Sequence, residues 1–246
     1  MPEWVGVGSG PVAVAETPVV VLAGGRGTRI APVTRDLLPK ALLPVAGRPF
    51  LDHVLDWLED EGVRTAVLAV GFLGEQVRAH CGTRWGRMHL RYSDEGEQRL
   101  GTGGALRRAL TLVPELPRSF AVNGDTWFPV DLAELLSRHV LSGAAVTVAL
   151  ARQADRSRYG AVGVAPDGRV VAFDEKAESG PGWINGGVYC VERAALDALP
   201  DAAFSLEREV LFPMAKAGTV FALTAEVPFC DIGQPESYRA FSLEKR

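Results

Sequence analysis

The chain has 246 residues and carries 26 basic against 30 acidic side chains, a formal net charge of −4. That balance excludes the broad basic face that nucleic acid or an anionic membrane surface requires of a partner. Three cysteines (Cys81, Cys190, Cys230) lie far apart without CxxC spacing, which excludes a disulfide framework and points to a reducing, cytoplasmic setting.

Residues 1–17 carry no helical period and read as a loose N-terminal extension, unlike a secretory signal because Glu3 precedes the first basic residue, Arg26. No apolar run reaches membrane-spanning length. From residue 18 to 246 the chain reads as one domain. Residues 19–25 (VVVLAGG) predict a buried parallel strand running into a glycine turn. Gly24–Pro49 is a long stretch of Gly, Thr, Pro and Arg without periodicity, and loops of that length in compact domains are usually functional. A helix is predicted over 50–60 with Gly62 as its stop, then a strand over 65–70, a helix over 74–80 and a strand over 88–92. Next come a glycine loop at 101–104, a helix over 104–110, a strand at 119–125, a helix over 132–140 and a strand over 144–151. This alternation implies an α/β fold with a doubly wound, mostly parallel sheet. Beyond residue 151 the rhythm changes to antiparallel: strands flank the Asp167-Gly168 turn, a further strand covers 183–191, and helices cover 205–218 and the C-terminal residues.

The chemistry is expected where the strands end. Glycines 24, 25 and 27 permit close backbone approach to an anion, and Gly24–Pro49 holds five cations (Arg26, Arg29, Arg35, Lys40, Arg48) against the single acid Asp36. The remainder holds 21 basic and 29 acidic residues, so positive charge is concentrated on one glycine-rich loop. That pattern fits a polyphosphate. A dinucleotide fingerprint fits less well, because prolines follow GGRGTR instead of a helix and no acid ends the second strand; GxxxxGK[ST] is absent. Only four of the 26 basic residues are lysines (Lys40, Lys176, Lys216, Lys245), so a retained lysine is a candidate for a role that a guanidinium cannot fill.

The run Leu22-Ala-Gly-Gly-Arg-Gly-Thr-Arg29, followed by Pro32, Thr34, Pro39-Lys40, Leu43-Pro44-Val45 and Pro49, resembles the signature of sugar-1-phosphate nucleotidyltransferases. Further matches follow in family order: Gly101-Thr-Gly-Gly-Ala105, Asn123-Gly-Asp125, Arg158-Tyr159-Gly160, Phe173-x-Glu175-Lys176, Asn185-Gly186-Gly187 and Asp231-Ile-Gly233. The resemblance implies a Rossmann-like, GT-A-type sheet with a small antiparallel sugar-binding subregion. It implies nucleotide contacts at Leu22, Ala23, Gly24, Gly25, Gly27, Thr28, Arg29, Gly101, Thr102, Gly103, Asn123 and Gly124. Sugar-phosphate contacts are implied at Tyr159, Gly160, Glu175, Lys176, Asn185 and Gly186. Catalytic roles fall on Arg29, Lys40, Asp125 and Lys176, and Asp125 with Asp231 would hold Mg²⁺. Trp127 and Trp183 flank these motifs and either stack on the sugar or belong to the core. The four scattered histidines read as structural or surface residues.

The reaction so implied converts a nucleoside triphosphate and a sugar 1-phosphate to an NDP-sugar and pyrophosphate. GTGGAL, NGD, INGGVY, FSLE and FCDIG most resemble the heptose 1-phosphate guanylyltransferases, which favours GTP and a heptose 1-phosphate. Mannose-1-phosphate guanylyltransferases and N-acetylmuramate-1-phosphate uridylyltransferases are the near alternatives. The chain has Gln98-Arg99-Leu100 where relatives often carry Glu-Pro-Leu, which leaves the base open. A catalytically inactive nucleotide-sugar-sensing subunit and a dinucleotide-binding oxidoreductase are the readings from other classes. Family members are often dimers or tetramers, so self-association is an expectation of the resemblance.

Overall fold

A run of valines has no polar face to offer water, and Val19, Val20 and Val21 are buried on both sides at the centre of an eight-stranded sheet. The computed structural model describes residues 13–96, 98–113, 116–174, 179–197, 199, 202–233 and 235–244. The first twelve residues of the expected N-terminal extension lie outside that set. Its last five run through a 3-10 turn, Val14–Glu16, and Thr17 is buried.

The central strand β1 (Val19–Leu22) leads into a segment that holds two 3-10 turns, Thr28–Ile30 and Lys40–Leu42, and the short helix α1 (Ala31–Thr34). The two-residue strands β2 (Pro44–Val45) and β3 (Arg48–Pro49) form a hairpin ahead of α2 (Phe50–Asp60). Helix α2 buries Phe50, Leu51, Val54, Leu55, Trp57 and Leu58 and ends at Gly62, whose φ of 87° suits glycine. Then follow β4 (Thr65–Val70), α3 (Gly74–Cys81), β5 (Arg84–Trp85), β6 (Met88–Asp94), α4 (Gly101–Leu110), β7 (Arg118–Asn123) and β8 (Thr126–Trp127). Helix α5 (Leu132–Ser142) begins where Asp131 accepts the Glu134 N–H at 2.8 Å and ends at Gly143 in the left-handed region. The chain continues through β9 (Val146–Gln153), the hairpin β10 (Ala161–Val164) and β11 (Val170–Asp174), and β12 (Gly182–Glu192). It closes with α6 (Ala194–Asp197), a π turn at Glu207–Leu211, α7 (Phe212–Lys216), β13 (Val220–Ala225), β14 (Cys230–Asp231) and α8 (Pro235–Glu244).

The strand order in space is β13-β9-β12-β7-β1-β4-β6-β5. Strand β1 pairs parallel with both β4 and β7, β4 with β6, and β9 with β13; β12 is antiparallel to β7 and β9. The expected doubly wound, mostly parallel sheet is therefore present. Its strand order reverses between β1 and β7, the place where such sheets open a crevice at their carboxyl ends. Alternation along β1 splits the core: Val19 and Val21 join α2, α3 and α5 on one face, and Val20 joins α4 and α7 on the other.

Three local features depart from the sequence reading. The aperiodic stretch 24–49 is folded into short turns and a hairpin. Gly101–Gly104, expected as a loop, is the first turn of α4, because the Phe204 carbonyl accepts the Gly103 and Gly104 N–H groups at 3.0 and 3.3 Å. Strand β13 was not anticipated. It forms because Val220, Ala222 and Leu223 are buried beside β9.

No helix among the described residues is long and apolar enough to cross a membrane. None of the three cysteines forms a disulfide and all three are buried; burial pushes the Cys81 thiol up to about 12 and raises Cys190 as well. A thiol-reactive disulfide reagent at pH 8 should therefore titrate none of them in the native protein and all three after denaturation; fast native labelling would contradict this packing.

Candidate functional site

Three parallel strands end within backbone contact of one another. The Gly124 N–H, just past β7, donates to the Leu22 carbonyl at 2.9 Å, and a Cβ on Gly124 would stand 3.0 Å from both Leu22 O and Ala23 Cβ. On the other flank a Cβ on Gly71 would stand 2.9 Å from the Gly24 carbonyl oxygen, which accepts the Phe72 N–H. Only residues without side chains let these ends close up.

The cleft above them is a cavity of about 380 Å³. It gathers most of the expected nucleotide-binding positions: Leu22, Ala23, Gly24, Gly25, Gly27, Thr28, Gly101, Thr102, Asn123 and Gly124, together with Lys40 and Asp125. Gly27 has φ 65°, and a Cβ there would lie 3.2 Å from Lys40 Cβ and Cδ. Its bareness lets the lysine stem cross beneath the loop. The Lys40 ammonium then pairs with Asp125 in a short contact, joining the glycine loop to the end of β7.

The five cations of residues 24–49 do not act as one cluster. Arg26 lines the cavity, pairs with Asp36 at 3.2 Å and lies over the Phe72 ring. Arg48 is turned away onto Asp56 at 2.9 Å and Asp52 at 3.7 Å. Arg29 is exposed outside the cavity lining, near enough for its charge to act on Asp231.

Asp231 reaches the site through the pairing of β14 with β8, which sets it opposite Thr126, and through the Ile232 N–H, which donates to the Asp125 carbonyl at 3.0 Å. Burial, and after it the negative charge of Asp125, raises the Asp231 carboxyl pKa; the Gly233 N–H and the Lys40 and Arg29 charges oppose that shift. Two carboxylates with one lysine between them leave a surplus of negative charge that a cation would relieve, and oxygen ligands of this kind suit Mg²⁺.

The wall opposite is the start of α4. The 204–206 segment clamps it: the Phe204 N–H donates to the Leu100 carbonyl, the Leu206 N–H donates to Thr102 Oγ1 at 2.8 Å, and Thr102 Oγ1 donates to Glu207 Oε2 at 2.9 Å. The Thr102 hydroxyl is thus engaged with the protein. Gly103 faces the buried Phe204 ring and does not line the cavity.

On the side expected for the sugar, Asn185 Oδ1 accepts the Gly187 N–H at 3.0 Å and its Nδ2 donates to the Tyr189 hydroxyl, fixing a bulge in β12. Gly187 has φ 71°, and a Cβ there would lie 2.7 Å from Asn123 Nδ2, so the bulge is pressed against the end of β7. Gly186 is held against Phe128. Tyr159 packs edge-on against Phe229, half-buried, and burial raises its pKa; Gly160 follows with φ 76°. Trp127 packs against Phe241 and Trp183 lies beneath the Arg152 guanidinium, so both are occupied by protein contacts. Glu175 and Lys176 lie outside the described residues.

Sequence reasoning passed over Glu95 and met Arg99 only as a departure from the family motif; both line the same cavity beyond the end of β6. Glu95 Oε2 accepts the Leu100 N–H at 3.2 Å and its Oε1 lies against Gly24. Burial raises its pKa, while the Leu100 N–H and the Arg108 charge act the other way. An acid within DEGEQR, directly before the glycine run, was the available signal.

A crevice at the switch point of a doubly wound sheet, walled by glycines and crossed by a lysine–aspartate pair, defines a site for a phosphorylated nucleotide. Residues 18–245 match the Nucleotidyl transferase family, and the chain belongs to it: the protein is a nucleotidyltransferase. It is 34% identical over 221 residues to the D-glycero-alpha-D-manno-heptose 1-phosphate guanylyltransferase of Aneurinibacillus thermoaerophilus, covering 89% of this chain and 94% of that one. It is also 34% identical to the mannose-1-phosphate guanylyltransferase of Mycobacterium tuberculosis, covering 92% of this chain and 64% of the longer relative. Among solved structures, HddC from Yersinia pseudotuberculosis complexed with GMP-PN superposes with a TM-score of 0.83 at 28% identity, covering 94% of this chain and all of that one.

The clamp on α4 gives a direct test. A methyl group at Gly103 must displace the Phe204 ring, so Gly103→Ala should cost about 1–3 kcal/mol of stability. Chemical denaturation reads the loss, and an unchanged midpoint would mean that Phe204 does not pack there.

Proposed function

We propose that this nucleotidyltransferase transfers GMP from GTP to a heptose 1-phosphate, releasing pyrophosphate and forming a GDP-sugar. The observation that carries the reading is the Lys40–Asp125 pair at the mouth of a glycine-walled cleft, in a chain that matches a heptose 1-phosphate guanylyltransferase over nearly its whole length. The similar mannose-1-phosphate guanylyltransferase supports the same base with a different sugar.

The reaction needs little acid–base chemistry. A phosphate monoester has a second pKa of about 6, so the sugar phosphate is largely a dianion at neutral pH and its oxygen attacks the α-phosphorus unaided. The obstacle is charge: two polyanions must meet and pyrophosphate must depart. Positioning and fixed positive charge are then the main contributions of the protein. In this reading the bare backbone at Gly24, Gly25 and Gly27 admits the triphosphate, and the Thr28 and Arg29 turn lies along it. The Lys40 ammonium, a compact point charge, faces the α-phosphate once released from Asp125, and Arg29 neutralises the leaving group.

Asp125 and Asp231 would hold Mg²⁺, which when bound supplies charge neutralisation between the two phosphates. Asn185 and Gly186 on the β12 bulge, with Tyr159 and Gly160, form the sugar side. Glu175 and Lys176 are assigned there from their motif, Lys176 to the sugar phosphate. Three cysteines without a disulfide agree with a cytoplasmic setting, and the partners are small molecules, with self-association as the family expectation.

Pyrophosphate release, screened over nucleoside triphosphates and sugar 1-phosphates, should appear with GTP and a heptose 1-phosphate and disappear with EDTA. Absence of release from every pair would favour a sensing subunit. Asp125→Asn should lower kcat by about 10²–10³ or more with the fold retained by circular dichroism, and Lys40→Arg should also be impaired because a planar fork replaces a point charge. Wild-type rates in either variant would remove that residue from the chemistry.

A further inference from the structure

Tyr189 is the largest fully buried side chain among the described residues, and the reaction proposed above makes no use of it. Its ring belongs to the core that β1, β7 and β9 share with α4 and α7. Phenylalanine would fill the same space without burying a polar atom, so the hydroxyl needs a reason. It has one partner among the described residues: Asn185 Nδ2 donates to it at 2.8 Å. Burial, and after it the Glu207 charge, raises the phenol pKa far above its ordinary value, with the Asn185 bond opposing, so the group is a neutral hydroxyl near neutral pH.

Residues four apart on a regular strand are separated by about 13.6 Å, too far for this bond. The bulge brings them together. Asn185 stands opposite Leu150 and Val188 opposite Ala149, so Gly186 and Gly187 are in excess of the β9 ladder. Tyr189 stands opposite Val148, which puts it and Asn185 two ladder positions apart on one face, about 6.8 Å along the strand. Only glycines suit the excess positions: Gly187 has φ 71°, and a Cβ on Gly186 would stand 2.8 Å from the Ala149 carbonyl oxygen. The same bulge fixes which way the Asn185 amide faces. The Gly187 N–H can only donate, so Oδ1 must face it, at 3.0 Å, and the amino group is left to face Tyr189. One Nδ2–H and one Oδ1 lone pair then remain on this half-buried side chain. They sit beside the cavity, because the bulge presses on Asn123 in its lining.

We infer that Tyr189 is a positioning residue for the sugar substrate: its hydroxyl holds the Asn185 amide in the one orientation that leaves a spare N–H donor and a spare carbonyl acceptor for the hydroxyls of the sugar 1-phosphate. This rests on the reading of Asn185 as part of the sugar side. A sugar hydroxyl both donates and accepts, so it pairs with either end of an amide whose orientation is set. A side chain already fixed loses no rotamer freedom when the sugar binds. Tyr189 is fully buried, so it acts through Asn185 and touches no substrate itself.

Tyr189→Phe deletes the hydroxyl and keeps the ring, with circular dichroism to verify the fold. Steady-state kinetics use the nucleoside triphosphate and sugar 1-phosphate pair that releases pyrophosphate in the screen above. KM for the sugar 1-phosphate should rise about three- to tenfold, the loss expected of one hydrogen bond, while kcat and KM for the triphosphate stay within about twofold of wild type. Asn185→Ala should raise the same KM at least as much. Tyr189→Phe made in the Asn185→Ala background should add nothing, because the group it orients is gone. An unchanged sugar KM in Tyr189→Phe, a rise shared equally by both substrates, or effects of the two substitutions that add would overturn the positioning role and leave the sugar-side reading of Asn185 standing. A wild-type sugar KM in Asn185→Ala overturns that reading and this inference with it. Release from no pair overturns nucleotidyl transfer, and the inference falls with it.

Discussion

The cleft depends on how closely three strand ends approach one another. At Gly71 and Gly124 the neighbouring backbone stands where a side chain would begin, and at Gly24 the Glu95 carboxylate stands there. A Cβ at Gly71 or Gly124 would push β1 away from β4 or β7 at their carboxyl ends, and the cavity floor would no longer be bare backbone. The close approach exposes main-chain dipoles to a ligand instead of side chains, which is the form of surface a polyphosphate can lie on. The same bareness continues to Gly27, where it governs the path of Lys40.

Charge is arranged on that floor with economy. The concentration of arginine and lysine in residues 24–49 overstates the positive charge reaching the site, since Arg48 serves the α2 surface and Arg26 is shared with Asp36. Lys40 is what enters the cavity beside Asp125, and its pairing keeps a partly buried ammonium and carboxylate from standing alone, which would be costly. Asp231 adds a second acid, its carboxyl pKa raised by burial and after that by the charge of Asp125. A divalent cation and a phosphate would redistribute these partners without leaving any of them unpaired.

Much of this was legible because the patterns are local. Valine runs announce buried parallel strands, the apolar spacing of residues 50–60 announces α2, and Asp167-Gly168 announces a hairpin. Gly24, Gly25 and Gly27 with Lys40 could be placed on one loop without any structure. The scarcity of lysine left four candidates, the motif resemblance selected Lys40 among them, and the cavity gives that choice a physical setting. Two features escaped for a common reason. The glycines at 101–104 look like a loop from sequence, yet their amides and their lack of side chains are used by Phe204, about a hundred residues away. Glu95 looks like one acid among several, and its distinction is its place on the cavity wall against Gly24, which no spacing reveals.

Sequence alone determined the fold class and the glycine-rich cationic loop, because hydrophobic period, turn chemistry and composition are written within short windows, while Asp125 and Asp231 were paired only by the resemblance of their motifs. Tertiary structure decided which cations face the cleft, how Asp231 comes to stand beside Asp125, and that Glu95 joins the cavity wall. Those outcomes arise from contacts between residues far apart in the chain, where steric fit and desolvation select among side chains that are chemically alike in the sequence.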